Sequence, residues 1–209
     1  MNGSIKQDLV RCCHLMAEKG LVAGTEGNVS ARAEDGKSVW MTPSNVNKGE
    51  VTEAMLVRLD LDGNVVEGER PPTSERWMHL EFYRQRPGAG GVAHGHPVFC
   101  TAFAAASRRL PRDILPELIA VIGEIPLVPY GRPSSPKLAA AIAPFCRQHN
   151  VFLLQNHGAI AVGPSVRDAY HRLEVAEAYA KTCWAATALG GVKPLVAEEI
   201  ADLPTPSFD

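Results

Sequence analysis

The chain has 209 residues, 45% of them hydrophobic, and a formal net charge of -2 at neutral pH. That is enough apolar material for one core of α/β character. A charge balance this close to neutral, with no run of like charge, excludes the electrostatic footprint of a nucleic-acid or acidic-membrane binder and leaves small molecules or further copies of the chain as expected partners.

Met1 to Val10 carries charge and lacks the apolar stretch of a signal peptide, and no run in the chain approaches a membrane span, so a cytoplasmic location is expected. Ile5, Leu9, Cys12 or Cys13 and Met16 recur at helical spacing with Gly20 as a stop, which predicts an amphipathic first helix whose His14 is an ordinary helix residue. Gly24-Thr25-Glu26-Gly27-Asn28 is a turn-rich loop running into a short strand, Val29 to Arg32; its amides can converge on an anion, an ordinary tight turn being the alternative. Ser38 to Met41 reads as the next strand and ends at the polar turn Thr42-Pro43-Ser44-Asn45. Met55 to Asp60 and Asn64 to Glu67 flank Leu61-Asp62-Gly63, a hairpin signal that argues against a purely parallel sheet.

Pro71-Pro72-Thr73-Ser74-Glu75 leads into a helical pattern through Trp77, Leu80 and Tyr83, with Thr73 or Ser74 as its N-cap. A helix start of this kind suits an anion, while Glu75 there is also what the helix dipole alone would favour. His79 shares the face of Glu75 and is expected to be structural. Gly91 to Ala93 reads as a buried strand, Pro97 opens a helix over Val98 to Ala106, and alternation puts His94 and His96 on one face. A lone His-x-His is more often a packing pair. A third imidazole changes that reading: His157 sits between the apolar runs Val151 to Leu154 and Ala159 to Val162. Three imidazoles from two strand ends, with a carboxylate nearby, are the composition of a catalytic zinc site that keeps one position open.

Leu115 to Pro129 holds a short apolar segment and a strand, Pro126 to Pro129, with Tyr130 to Pro133 as its exit loop. Ser135 caps a helix that starts with Pro136 and runs to about His149, and Ser165 to Leu189 makes a long helix closed by Gly190-Gly191, with His171 on its surface. The tail from Val192 is either loose or docks on a neighbouring subunit. Cys12, Cys13, Cys100, Cys146 and Cys183 are odd in number and lack Cys-x-x-Cys spacing, so they read as buried thiols of a reducing compartment. No repeat or nucleotide-binding fingerprint is present.

Five collinear motifs, Gly24-Thr25-Glu26-Gly27-Asn28-Val29-Ser30, Thr42-Pro43-Ser44, Pro72-Thr73-Ser74-Glu75, His94-Gly95-His96-Pro97 and Asn156-His157-Gly158, resemble the class II aldolase and adducin head-domain family, most closely its L-fuculose-1-phosphate aldolase-like branch. The resemblance covers about Leu21 to Leu189. It implies one α/β domain, residues 1–191, built as a mixed, largely antiparallel sheet with helices on both sides, and a tail, residues 192–209, packing on a neighbouring subunit. It further implies zinc, or manganese or cobalt in its place, on His94, His96 and His157, with Glu75 as acid/base. Substrate phosphate would be held by Asn28, Ser44, Asn45, Thr73 and Ser74, in a homotetramer with interfacial active sites.

The implied activity is that of a metal-dependent carbon-carbon lyase. It would cleave a small phosphorylated sugar through a zinc-stabilised enediolate while Glu75, its pKa raised by burial, moves a proton. The same site suits decarboxylation of a 3-oxo acid phosphate or of a dihydroxyphthalate-type acid. A pentulose-phosphate 4-epimerase is a lesser alternative, and a non-catalytic adducin-like module is disfavoured because the three ligands and Glu75 are all present. Three departures from the family pattern bear on the substrate. Asn45 stands where relatives often have glycine, Thr73 replaces the first serine of a pair, and Ile114-Leu115-Pro116-Glu117 lacks the family's tyrosine, so that either Glu117 substitutes or another reaction is in play.

Overall fold

The computed structural model describes residues 4–206, so the first three residues and the end of the expected tail, residues 207–209, lie outside the described residues. Ser4 opens α1 (Ile5–Glu18) through a capping box with Gln7, and Leu9, Cys12, Cys13 and Met16 form the buried stripe that the spacing predicts. β1 (Asn28–Arg32) and β2 (Ser38–Met41) pair antiparallel, and β2 continues to β3 (Val57–Asp60) and β4 (Val65–Glu67) through the expected hairpin. Met55 falls outside that hairpin, in a 3-10 turn over Glu53–Met55. Then come α2 (Arg76–Gln85), β5 (Gly91–Gly95) and α3 (Val98–Ala105). The apolar segment after Leu115 is a short helix, α4 (Pro116–Val121), and the strand after it is only β6 (Leu127–Val128).

Ser135 caps α5 (Pro136–Ile142) as expected, but the helix stops well short of His149. Pro144 lacks the N–H that would bond back to the carbonyl of Ala140, and the chain tightens into a 3-10 turn, Ala143–Phe145. β7 (Val151–Leu154) and β8 (Gly158–Gly163) follow, then the long α6 (Val166–Thr187) with Ser165 as N-cap. The tail holds one short helix, α7 (Ala197–Ala201), that buries none of its residues.

The eight strands form one sheet in the order β4-β3-β2-β1-β5-β8-β7-β6, antiparallel throughout except for the parallel β6–β7 pair. Strand alternation sends the two sets of side chains into two separate cores, which makes the fold three layers. Ala159 and Ala161 face one way and allow α6 to approach closely, together with α1 and α3; Ile160 and Val162 face the other way, toward α2 and α5. Phe82 of α2 meets Phe152 of β7 on that second side, with ring centroids 5.1 Å apart, a contact worth about 1 kcal/mol beyond the burial of the rings. All five cysteines are buried free thiols; burial pushes Cys12 up to about 12, so it stays a thiol at neutral pH. No described helix is long and apolar enough to cross a membrane.

On the α2 side, one stripe of the sheet is polar. Direct pairing of Asn28 with His94 and of Ser30 with Val92 puts Asn28, Ser30 and His94 on the face that α2 covers. All three are buried, so each must find its partner inside the protein.

Candidate metal centre

His94 is the second-last residue of β5, and His96 follows the strand's end at Gly95. His157 enters from the three-residue turn between β7 and β8, where Asn156 takes a left-handed φ of 55° that a short polar side chain tolerates. The three imidazoles converge. Their ring centroids lie 5.0 Å apart for His94 and His96, 4.7 Å for His94 and His157, and 5.1 Å for His96 and His157, and one nitrogen from each lies within 4.8 Å of the other two.

Two backbone approaches make this possible. Gly27 has φ +71°, and a Cβ there would lie 2.8 Å from the carbonyl oxygen of His94. Gly158 lies so close to β5 that a Cβ would be 2.5 Å from the oxygen of Gly95 and 2.6 Å from Cδ2 of His96.

The donor chemistry fits a divalent cation. His94 Nδ1 is 2.9 Å from the carbonyl of Ala159, which can only accept, so this nitrogen carries the proton and Nε2 presents its lone pair. His94 Nε2, His96 Nε2 and His157 Nδ1 are buried and make no hydrogen bond within the protein. Nitrogen lone pairs kept from both water and protein donors are costly unless a Lewis acid takes them. His96 Nδ1 is in turn 3.2 Å from Glu26 Oε2, the carboxylate–imidazole arrangement that orients a metal ligand. Burial, then the His94 and His157 charges, lowers the pKa of His96, against the pull of Glu26.

Glu75 stands over the imidazoles, with Oε2 3.2 Å from His94 Nε2 and Oε1 3.2 Å from His157 Nε2. It is itself the N-cap of α2, which begins at Arg76; neither Thr73 nor Ser74 caps it, and Thr73 Oγ1 instead accepts the amide of Glu75 at 3.3 Å. The expected rise in its pKa is also corrected. Burial does act upward, but the imidazoles of His94 and His157, when they are protonated, outweigh it and hold the carboxyl well below the usual range.

A cavity of about 350 Å³ opens beside this cluster, lined among others by Asn28, Ser44, Asn45, Thr73 and Ser74, so all five expected phosphate residues meet there with Glu75, His96 and His157. Their donors are not equally available. Ser44 spends its hydroxyl on the carbonyl of Pro72 at 2.8 Å, and Asn28 turns its amide toward Glu75 at 2.9 Å. Asn45 has φ 57°, a left-handed conformation that its short polar side chain tolerates. None of the residues lining this cavity is a lysine or arginine. Glu117 is exposed in the first turn of α4 and does not line this chain's cavity.

Sequence reasoning assigned no role to several residues that the fold brings here. Ser134 reaches Ser74, Oγ to Oγ at 2.8 Å, from a turn that no spacing pattern ties to the site. Lys48 is 1% exposed, and its ammonium donates to the carbonyls of Thr25 and Val46, joining the Gly24–Asn28 loop to the segment after Asn45. Its burial was signalled only by a lysine between a polar turn and Val51. His14, read as an ordinary helix residue, is exposed and 2.9 Å from the carbonyl of Val51; His171 is also exposed.

The sequence profile of the class II aldolase and adducin N-terminal domain matches residues 7–184. An L-fuculose phosphate aldolase of Methanococcus maripaludis is 33% identical over 174 residues, covering 83% of this chain and 93% of that protein. A 3-oxo-tetronate 4-phosphate decarboxylase of Escherichia coli is 30% identical over 206 residues, covering 96% and 95%. A solved structure of an L-fuculose 1-phosphate aldolase, 32% identical, superposes with a TM-score of 0.86 over 96% of this chain and 95% of the other.

Proposed function

The chain belongs to the class II aldolase and adducin N-terminal domain family, a metal-dependent carbon-carbon lyase by that membership, and from that premise we propose that it cleaves a small phosphorylated ketose into dihydroxyacetone phosphate and an aldehyde. The observation that carries this reading is the convergence of three imidazoles and one partly buried carboxylate beside a cavity that also offers hydroxyl and amide donors. His94, His96 and His157 would hold the cation, with zinc as the one proposed. When bound, it supplies Lewis-acid stabilisation of negative charge on a carbonyl oxygen.

The protein's own groups account for the rest. Breaking the bond between C3 and C4 leaves its electron pair on the dihydroxyacetone phosphate half as an enediolate, and the proton of the C4 hydroxyl passes to solvent in the open cavity, to be matched by the one delivered to C3. Glu75 faces the imidazoles from the helix side and moves the proton that quenches the enediolate at C3. Thr73 Oγ1 accepts from the Glu75 amide and so keeps its own hydroxyl free to donate to a phosphate; Ser74, Ser134 and the backbone of the Asn28 and Asn45 loops supply further neutral donors. The tail is proposed to pack on a neighbouring copy, since α7 buries nothing against its own chain; a monomer by light scattering would remove that part.

A second reading is favoured by one observation: no tyrosine lines the cavity, and the carboxylates there are Glu75 and the half-exposed Glu26. Decarboxylation of a four-carbon 3-oxo acid phosphate yields the same enediolate but requires no base for a departing hydroxyl. Phosphorylated ketoses and 3-oxo acid phosphates offered to zinc-loaded protein decide between the two. Aldehyde release supports the first reading, carbon dioxide release the second, and neither product from any substrate refutes both.

A further inference from the structure

Behind Glu75, α2 and β1 are laced together by side chains. One helical turn and two strand residues advance by similar distances, about 5.4 Å and about 6.8 Å. Glu75, His79 and Tyr83, four residues apart on α2, therefore interdigitate with Asn28 and Ser30 on β1. The contacts run without a gap: Tyr83 OH to Ser30 Oγ 2.9 Å, Ser30 Oγ to His79 Nδ1 2.7 Å, His79 Nε2 to Asn28 Oδ1 2.6 Å, and Asn28 Nδ2 to Glu75 Oε2 2.9 Å. Asn28 is 4% exposed, Ser30 and His79 0%, and Tyr83 2%, so water does not complete any of these bonds.

The direction of the whole chain follows from its last member. An ionised carboxylate only accepts, so Asn28 must turn its NH₂ to Glu75 and its carbonyl oxygen to His79. That oxygen needs a donor, which places the His79 proton on Nε2. A neutral His79 then accepts at Nδ1, so Ser30 donates to it, and the Ser30 oxygen is left to accept from Tyr83. Burial, with the His94 charge adding to it and Glu75 opposing, brings His79 down to about 3, in keeping with a neutral ring. Every donor in the row points toward Glu75.

We propose that Tyr83, Ser30 and His79 are positioning residues for Glu75, a one-way hydrogen-bond row that locks the Asn28 amide with its NH₂ on the carboxylate. The row ends at the buried Tyr83, so it orients the carboxylate and does not supply protons to it. With the row cut, the amide can turn its oxygen toward Glu75, and the carboxylate is repelled from its place. The proposal rests on Glu75 being the proton-moving group.

Two measurements test it. In zinc-loaded protein, ¹⁵N spectra of the His79 ring should show the proton on Nε2 and Nδ1 as acceptor; a proton on Nδ1 overturns the row. Exchange of carbon-bound hydrogen of dihydroxyacetone phosphate in D₂O reads proton transfer without knowledge of the second product. His79→Leu, which keeps bulk and removes both ring bonds, should slow that exchange about ten- to a hundredfold at unchanged zinc content. His79→Gln, which restores an N–H toward Asn28 and an oxygen toward Ser30, should recover most of it. Ser30→Ala removes the hydroxyl that donates to His79 Nδ1 while Asn28 still accepts from Nε2, so it should leave the fold and the Nε2 tautomer intact yet slow the exchange, and it decides the matter if His79→Leu does not fold. Wild-type exchange in zinc-replete His79→Leu, or in zinc-replete Ser30→Ala, overturns the proposal. Wild-type exchange in Glu75→Gln would instead overturn the role of Glu75, while the tautomer measurement still judged the row.

Discussion

Replacing Gly158 by alanine tests how tightly the imidazoles are held. The new Cβ would sit 2.6 Å from Cδ2 of His96 and 2.5 Å from the oxygen of Gly95. A comfortable carbon–carbon contact is about 3.5–4.0 Å, so the His96 ring must withdraw by roughly 1 Å and the end of β5 must also give way at Gly95. Five paired positions, Gly91 through Gly95 against Gly163 through Ala159, resist parting of the strands. The His96 ring has one polar contact, to Glu26, and can withdraw, but the Gly95 oxygen is backbone and yields only if the end of β5 moves, carrying His94 and His96 with it. Overpacking at one position costs about 1–3 kcal/mol, so the protein remains folded. Displacing one ligand by roughly 1 Å should weaken the metal about ten- to a hundredfold and lower turnover about a hundredfold. Calorimetric titration of metal-free protein with zinc, beside a thermal melt, separates the two effects. Wild-type zinc affinity in folded Gly158→Ala would show that the imidazoles have slack, and the argument from close packing would be wrong.

Three other substitutions probe separate parts of the molecule. Glu75→Gln keeps a partner for the Asn28 amide but cannot move a proton, so metal content should hold while kcat falls by about two to four orders of magnitude; a dipole complement alone would cost a few tenths of a kcal/mol of stability and leave the rate nearly intact. Lys48→Met leaves the carbonyls of Thr25 and Val46 without their charged donor, a loss of about 2–3 kcal/mol and roughly 5–10 °C in Tm, with KM rising because the Thr25 loop borders the cavity; an unchanged melt would refute the strap. Asp35 is held down to about 2 by the Lys37 amide, then by Ser38 and Arg58. A carboxyl with a depressed folded pKa stabilises above its unfolded value and loses that contribution as pH falls, so Asp35→Asn should be less stable than wild type at pH 5 and converge with it toward pH 2. Parallel stability curves across that range would contradict the assignment.

The sequence made the three converging histidines legible because strand alternation and a strand-ending hairpin turn are local patterns: His94 and His96 had to share a face, and His157 had to lie at an edge. The sheet's antiparallel character could be read from one hairpin for the same reason. The start of α2 could not be read so easily. Thr73 and Ser74 have the chemistry of caps, yet Glu75 takes the position, because the chain before it is occupied in bridging Pro43 to Pro72 and turning Ser74 toward Ser134. The downward pull on the Glu75 carboxyl was hidden too, since it depends on two imidazoles brought from distant strands. His79 showed the right helical phase beside Glu75, but only the pairing of β1 with β5 reveals that Asn28 and Ser30 face it.

Only His94 and His96 are close in the chain; the rest of the donor set comes from distant segments. Asn28 and Glu75 are 47 residues apart in the chain, and His94 is 65 residues from the carbonyl that fixes its tautomer. Loops of that length close only as the sheet assembles, late along the folding coordinate. Before that a cation meets at most the His94 and His96 pair, so most of its binding energy falls on the native side of the barrier. Zinc present during refolding should leave the folding limb of a chevron unmoved and lower the unfolding limb, acting as a latch on the finished sheet.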